Sequence, residues 1–529
     1  MRKSMVVLVV ALAIAVSVPA FAELQNVTVG GEIRIRGRWW RNAWAGNYAP
    51  VVHMPLGAFG KRALGPFGVD SLYDFDDRGN DLKFVEQKTL VNVKADFTDG
   101  VAAFIELADY ARWGEDFRSD YITGVDVRAD TSEDVELLQA YIEVNEMFGY
   151  PLRARIGRQQ IKMGKSWLIG SEVSPTLPFS YDAIRLTYVP VDELTIDAWW
   201  AKLAETGPVE EDGDVDFYGV YGTYSGLEPL SLSAYWVWVR DAGKIFDTQY
   251  GWLAEWVEDV LDLDDYDVTN IHTVGLRAFG STGGLDYDLE LAYQFGEASS
   301  AGVLFPMPSL WGVYGDDGAD YGVWAGDVEV GYTFDYTCSP RIYLAAAYFE
   351  GEDNRDLSFW EWLNPFQKPD ASLSFNRLFS GVWYNAALDI LGGASELTNF
   401  WMVKAGVTAN ATEKVSTGVS VAYFEVLDTF DWPRYIEVPG LWAPDIRLPI
   451  APGLGFWTQE ADDDIGVVSH VWVKYQYSED LWIKLGWERL FTGGALEDGN
   501  FIKRNGLMMM SGTDDDDTDY IYFDMGLKF

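Results

Sequence analysis

Cysteine is all but missing. The 529 residues hold one, Cys338, in a predicted turn Tyr336-Thr337-Cys338-Ser339-Pro340, so no intramolecular disulfide can staple the chain and a spectator thiol is expected. Histidine is nearly as scarce: His53, His272 and His470 are the only three. Two of these fall inside predicted strands, and no Ser or Asp stands at a spacing that suggests a hydrolytic triad. Cations are outnumbered, 39 Lys+Arg against 82 Asp+Glu, for a net charge of −43. That balance excludes nucleic acid, or any bulk polyanion, as a partner for the surface as a whole. Beyond residue 22 no run of about eighteen uninterrupted apolar residues occurs, which excludes a spanning helix.

What is present begins with a leader. Arg2 and Lys3 precede an apolar run at 5–18, and Ala20-Phe21-Ala22 forms a small-x-small cleavage site, so residues 1–22 read as a secretory signal peptide. The rest, 23–529, reads as one domain, and loss of two cations takes its charge from −43 to −45. Aromatics make up 15% of the sequence, with 23 Trp, 29 Tyr and 52 Gly beside them. Such an abundance suits two interfacial girdles on a membrane β-barrel better than it suits a soluble sandwich.

Side-chain alternation supports the barrel. In 137–170, LLQAYIEVNEMFGYPLRARIGRQQIKMGKSWLIG, the residues Leu138, Ala140, Ile142 and Val144 oppose Gln139, Tyr141, Glu143 and Asn145. After a break at Gly149-Tyr150-Pro151, Leu152, Ala154 and Ile156 oppose Arg153 and Arg155, which makes a hairpin with one apolar and one charged face. Further strands are expected from Val27 onward, at 84–96, 101–113, 183–189, 194–203, 217–224, 230–240, 271–279, 286–296, 323–334, 341–350, 400–410, 415–426, 467–477, 481–490 and 520–529. Their number is about eighteen, each near the length of a tilted membrane-crossing strand. Connections alternate short and long along the chain, as the turns and loops of an up-and-down barrel do. The long ones hold most of the acid, so the expected fold is an all-β transmembrane antiparallel barrel with long acidic extracellular loops. Residues 351–396 could hide another strand pair or a short helix near 379–391.

The strand at 286–296 fixes the register most firmly. Tyr287, Leu289, Leu291, Tyr293 and Phe295 share one face and Asp286, Asp288, Glu290 and Gln294 the other. A carboxylate facing lipid would cost a few kcal/mol, so the acids must face inward. In the last strand Phe523, Met525, Leu527 and Phe529 point out, and Phe529 is similar to the terminal aromatic that outer-membrane barrels present to their assembly machinery.

Gln139-Ala140-Tyr141-Ile142, then Arg155-Ile156-Gly157-Arg158-Gln159, then Met163-Gly164-Lys165 to Leu168-Ile169-Gly170 resembles the signature hairpin of the alginate-export family of outer-membrane porins. The resemblance implies a monomeric eighteen-stranded barrel in the outer membrane, among lipid and lipopolysaccharide, whose relative of best-known function passes an anionic polysaccharide through an Arg- and Lys-lined lumen. It carries over Arg155 and Arg158, with Gln159 and Gln160, as pore candidates. Alternation turns Arg155 inward and Arg158 outward, so a bulge near Gly157 is needed to put both in the lumen.

The inward faces of the first strands are rich in cations: Arg34, Arg36, Arg38, Lys88, Lys94, Arg153, Arg155 and Arg185. Later inward positions are mixed or acidic, with Asp286, Asp288, Glu290, Asp327 and Glu329 against Arg277, Arg341, Lys404, Lys474 and Lys484. One basic wall facing an acidic one would set up a transverse field that draws a carboxylated solute, a sugar acid or other organic anion, to the Arg side. The same charges could instead pair across the lumen. The runs Asp262, Asp264, Asp265, Asp267 and Asp514 to Asp517 could chelate Ca²⁺, yet they lack the Gly and terminal Glu of an EF-hand loop, so no cofactor is expected. Three function classes remain: a solute-selective porin, a barrel enzyme, and a surface barrel whose loops close the lumen.

Overall fold

The computed structural model describes residues 23–42, 81–113, 118–120, 125–127, 135–174, 177–205, 214–242, 268–297, 319–351, 356–358, 371–386, 397–429, 435–438, 441–445, 447–449, 457–458, 463–496, 501–502 and 517–529. The leader at 1–22, His53, the run from Asp262 to Asp267 and Asp514 to Asp516 lie outside these residues.

Eighteen antiparallel strands close into one barrel. They are β1 (Leu24–Arg41), β2 (Leu82–Phe97), β3 (Val101–Arg112), β4 (Glu136–Val144), β5 (Leu152–Gln159), β6 (Tyr181–Val191), β7 (Leu194–Ala204), β8 (Val215–Leu227) and β9 (Leu230–Asp241). The circuit continues with β10 (Thr269–Thr282), β11 (Leu285–Glu297), β12 (Ala319–Thr333), β13 (Arg341–Phe349), β14 (Phe400–Thr412), β15 (Val415–Val426), β16 (Asp464–Gln476), β17 (Leu481–Thr492) and β18 (Thr518–Lys528). Each strand pairs with its sequence neighbours, and β1 pairs with β18, Glu32 opposite Lys528 through Arg41 opposite Asp519. Gly31 and Phe529 finish the seam by exchanging backbone hydrogen bonds of 2.9 and 3.1 Å. Closure leaves no unpaired edge in the wall, a requirement where water cannot satisfy the backbone.

Leucine, valine and isoleucine cover the outer wall, as Val29, Leu276 and Leu344 do at 62–65% exposure. Near the long-loop rim, indoles lie on this wall with their N–H groups bonded to polar neighbours: Trp200 to Asp216 at 3.0 Å, Trp238 to Asn270 at 3.0 Å and Trp487 to Asp519 at 2.8 Å. At the short-turn rim Phe148, Tyr150, Tyr336 and Tyr477 project outward. These two belts are the expected girdles.

One expectation drawn from alternation needs correction. Leu138 is buried inward beside Leu90 and Ala108, because a register shift opposite Glu106 and Leu107 inserts one extra residue in β4. Aromatics, moreover, are not confined to the girdles. Trp40, Tyr181, Phe217, Phe349, Phe400, Phe424 and Tyr520 are buried on the inner wall, where they meet chain that has folded into the bore.

Candidate functional site

Two connections leave the long-loop rim and enter the barrel. The first, residues 160–171 after β5, starts where the wall is lowest, since β4 and β5 are only 9 and 8 residues long. It buries Ile161, Trp167, Leu168 and Ile169 against the inner wall. The second, residues 373–386 after β13, buries Leu373, Phe375 and Arg377. Backbone hydrogen bonds join the two: Gly170 N to Phe379 O at 2.8 Å, Phe379 N to Leu168 O at 3.0 Å and Gly381 N to Ser166 O at 3.0 Å. Residues 379–385 are irregular and Ala386 is helical; 387–396, which hold the rest of the stretch where a short helix is expected, lie outside the described residues.

The second segment runs as a strap from one wall to another. On β11, Gln294 donates to Asn376 O and accepts from Asn376 N, at 2.6 and 2.7 Å. On β17, Glu488 accepts from Asn385 Nδ2 and Ala386 N at 2.9 and 3.1 Å, and Trp40 of β1 donates to Ala386 O at 3.3 Å. Between these anchors Tyr384 takes a hydrogen bond from Trp167 Nε1 at 2.9 Å and donates to Asp327 at 2.6 Å. Burial, with the Asp327 carboxylate beside it, pushes the Tyr384 phenol well above its ordinary value, so it stays protonated and keeps its donor role.

A cavity of about 930 Å³ opens beside the strap, lined by Trp383, Tyr384, Lys404, Lys165 and the carboxylates of Asp286, Asp288, Asp327 and Glu329. Here the lumen is acidic, and its cations come from neighbours. Arg341 bridges Asp286 and Glu329, the latter at 2.7 Å. Arg277 meets Asp288 at 2.5 Å and Glu290 at 3.8 Å. Lys165, from the first inward segment, pairs with Asp327 and lies 3.8 Å from Asp288.

Across the bore, from β14 through the β1 seam to β6, the wall is basic. Arg34 forks onto Asp524 at 2.9 and 2.5 Å, Arg38 faces Glu86 at 3.5 Å, and Lys88 meets Glu32 at 3.0 Å. Arg155 meets Glu143 at 2.6 Å, Arg185 meets Asp197 at 2.8 Å and Lys94 meets Asp96 at 2.9 Å. Among the described residues Arg153 donates only to Thr187, at 3.3 Å. Among the described residues no carboxylate stands within ion-pair distance of Arg153, Lys404, Lys474 or Lys484. Lys474 and Lys484 rest instead over the rings of Trp482 and Trp472, at 5.3 and 4.8 Å.

Of the residues singled out by sequence, Arg34, Arg36, Arg38, Lys88, Lys94, Arg153, Arg155 and Arg185 lie on the inner wall of the basic sector, and Asp286, Asp288, Glu290, Asp327 and Glu329 on that of the acidic one. Arg158 does not join them. The ladders from Gly157 to Tyr141 and to Ala183 are unbroken, so no bulge rotates Arg158, and it sits on the outer wall paired with Asp182 at 2.9 Å. Sequence reasoning missed Lys165, Arg377, Tyr384 and Glu488. Lys165 was within reach, since Gly164-Lys165 continues the hairpin motif into a stretch that has lost its alternation.

A family model described as alginate export matches residues 71–427 of the chain, 357 of 529 residues (427 − 71 + 1). None of the curated proteins compared with the chain matches it. Among solved structures, OccAB1 of Acinetobacter baumannii is similar at 11% identity and a TM-score of 0.50, over 97% of this chain and 99% of that one. OprE (OccK8) and OprD of Pseudomonas aeruginosa align at 11% and 12% identity with TM-scores of 0.49 and 0.48, each over 96% of this chain and 99% of theirs. At such identities the likeness to OccAB1 is one of fold.

Proposed function

The chain belongs to the alginate export family, and from that premise we propose that its barrel is an outer-membrane channel giving passive passage to an organic anion such as a sugar acid or oligouronate. The observation that carries this reading is the set of inward cations on the neighbouring strands β14, β16 and β17, Lys404, Lys474 and Lys484, which have no carboxylate within ion-pair distance among the described residues. A charge that no protein group neutralises attracts a mobile counter-ion. The acidic sector beside them works the other way, but Arg341, Arg277 and Lys165 already pair with its carboxylates.

Single-channel recording in a planar bilayer tests the proposal. The wild type is expected to prefer chloride over potassium, and joint replacement of Lys404, Lys474 and Lys484 by Ala to lower that preference several-fold. Unchanged selectivity would remove the basic sector from the path. The strap favours a second reading, a surface barrel whose lumen is closed by its own loops. Silence of the folded protein under all applied voltages would select it.

A further inference from the structure

Between β15 and β1 the inner wall carries rings and cations in separate rows. One row runs Gly418, Trp472, Gly486, Tyr522 across β15, β16, β17 and β18. The row nearer the short turns runs Ser416, Lys474, Lys484, Asp524 over the same strands. The next runs Gln476, Trp482, Gly526, Arg34 from β16 to β1. Two lysines thus stand side by side, with one indole on the row above them and one on the row below.

Glycine decides how these indoles lie. A Cβ on Gly418 would come within 2.5 Å of Trp472, and one on Gly526 within 2.7 Å of Trp482, so each indole lies flat over a neighbouring backbone with one face toward the lumen. Both are half-buried, as are the lysines between them. The ammonium groups rest on these rings, Lys484 at 4.8 Å from the Trp472 centroid and Lys474 at 5.3 Å from that of Trp482. Arg34, 5.5 Å from the Trp482 ring, is held by Asp524 instead. In a wet lumen an ammonium gains less from a ring face than from a carboxylate it can hydrogen-bond. An incoming carboxylate therefore takes the lysines and leaves two flat indole faces bare. The C–H face of a pyranose is apolar and matches such a surface, whereas an open-chain acid has no flat face to offer.

We infer that Trp472, Lys474, Trp482 and Lys484 form a sugar-acid subsite in which the lysines take the carboxylate and the indoles stack the pyranose ring, so that the barrel prefers a cyclic acid to an open-chain acid of equal charge. The inference rests on reading the barrel as an anion channel.

D-Glucuronate, which is cyclic, and D-gluconate, which is not, separate ring from charge. Their dissociation constants are measured by saturation-transfer NMR on the full-length folded barrel in detergent, which needs no current. Glucuronate is expected to bind several-fold more tightly than gluconate. In Trp472→Leu with Trp482→Leu the two acids should bind alike, whereas Lys474→Gln with Lys484→Gln should weaken both and preserve their ratio. Heat-modifiable migration on a gel reports folding. Should the leucine pair not fold, Trp472→Phe with Trp482→Phe, which keeps smaller rings, should reduce the ratio. Equal binding of the two acids to the wild type overturns the subsite, as does a ratio that the indole replacements leave unchanged. Reversal potentials from bilayers report anion preference separately, so failure of the channel reading is told apart from failure of the subsite.

Discussion

At the scale of single residues the inner wall relies on glycines placed opposite large rings. Trp199 faces Gly219 across the β7–β8 ladder, and Tyr522 faces Gly486 across β17–β18. A Cβ at either glycine would fall inside the facing ring, so the missing side chain is what lets each aromatic lie flat on the wall rather than stand in the bore. Gly219→Val should lift Trp199 off Phe217, its edge-on partner at 5.6 Å, and overpacking of this kind costs about 1–3 kcal/mol. Urea unfolding in detergent, followed by tryptophan emission, measures the loss. Gly222→Ala, three residues on, is the control: its nearest neighbour is 3.9 Å from the new methyl, and stability should not change.

Elements divide into those that lipid disciplines and those it does not. Strands were legible because each outward position must be apolar, and a slip of one residue would turn Asp288 or Glu290 into hydrocarbon. Alternation therefore read Arg158 outward correctly and made a bulge the condition for any pore role. It failed at Leu138, where the extra residue answers to the partner strand. It was silent on which cation meets which carboxylate, because Arg185 finds Asp197 through cross-strand placement rather than spacing. The strap has no period at all: Leu373, Phe375 and Arg377 are buried by an aromatic wall inside the barrel, so nothing in their sequence distinguishes them from an outer loop. Arg377 is its root, stacked 5.0 Å from Phe349 and 4.9 Å from Tyr384. Arg377→Ala leaves the carbonyls of Leu397 and Val382 without this donor, at roughly 1–3 kcal/mol for each group left unsatisfied. The strand ladders are untouched, so the barrel should stay folded. Chymotrypsin should then cut at Phe375, Phe379 or Trp383 while the wild type resists, and single-channel conductance should rise. Equal resistance of the two proteins would deny Arg377 its anchoring role.

For the whole molecule the decisive quantity is the difference between two sectors, since most lumen charges are spoken for locally. Arg341 alone serves Asp286 and Glu329, and removing both acids by Asp286→Asn with Glu329→Gln adds two positive units to the lumen. They are gained on the wall that opposes an anion, so the preference for chloride over potassium must rise. Had the acids faced lipid, their removal would alter stability and leave selectivity alone. Range tells a field from a contact: screening lengths are about 10 Å at 0.1 M salt and about 3 Å at 1 M. A sector-wide field therefore acts across the bore at the lower concentration and only beside the wall at the higher one. The double variant and the wild type should differ in permeability ratio at 0.1 M KCl and converge toward unity at 1 M. A difference that persists undiminished at 1 M would place selectivity in close contacts at the strap, and no difference at 0.1 M would mean the acidic sector lies off the conducting path.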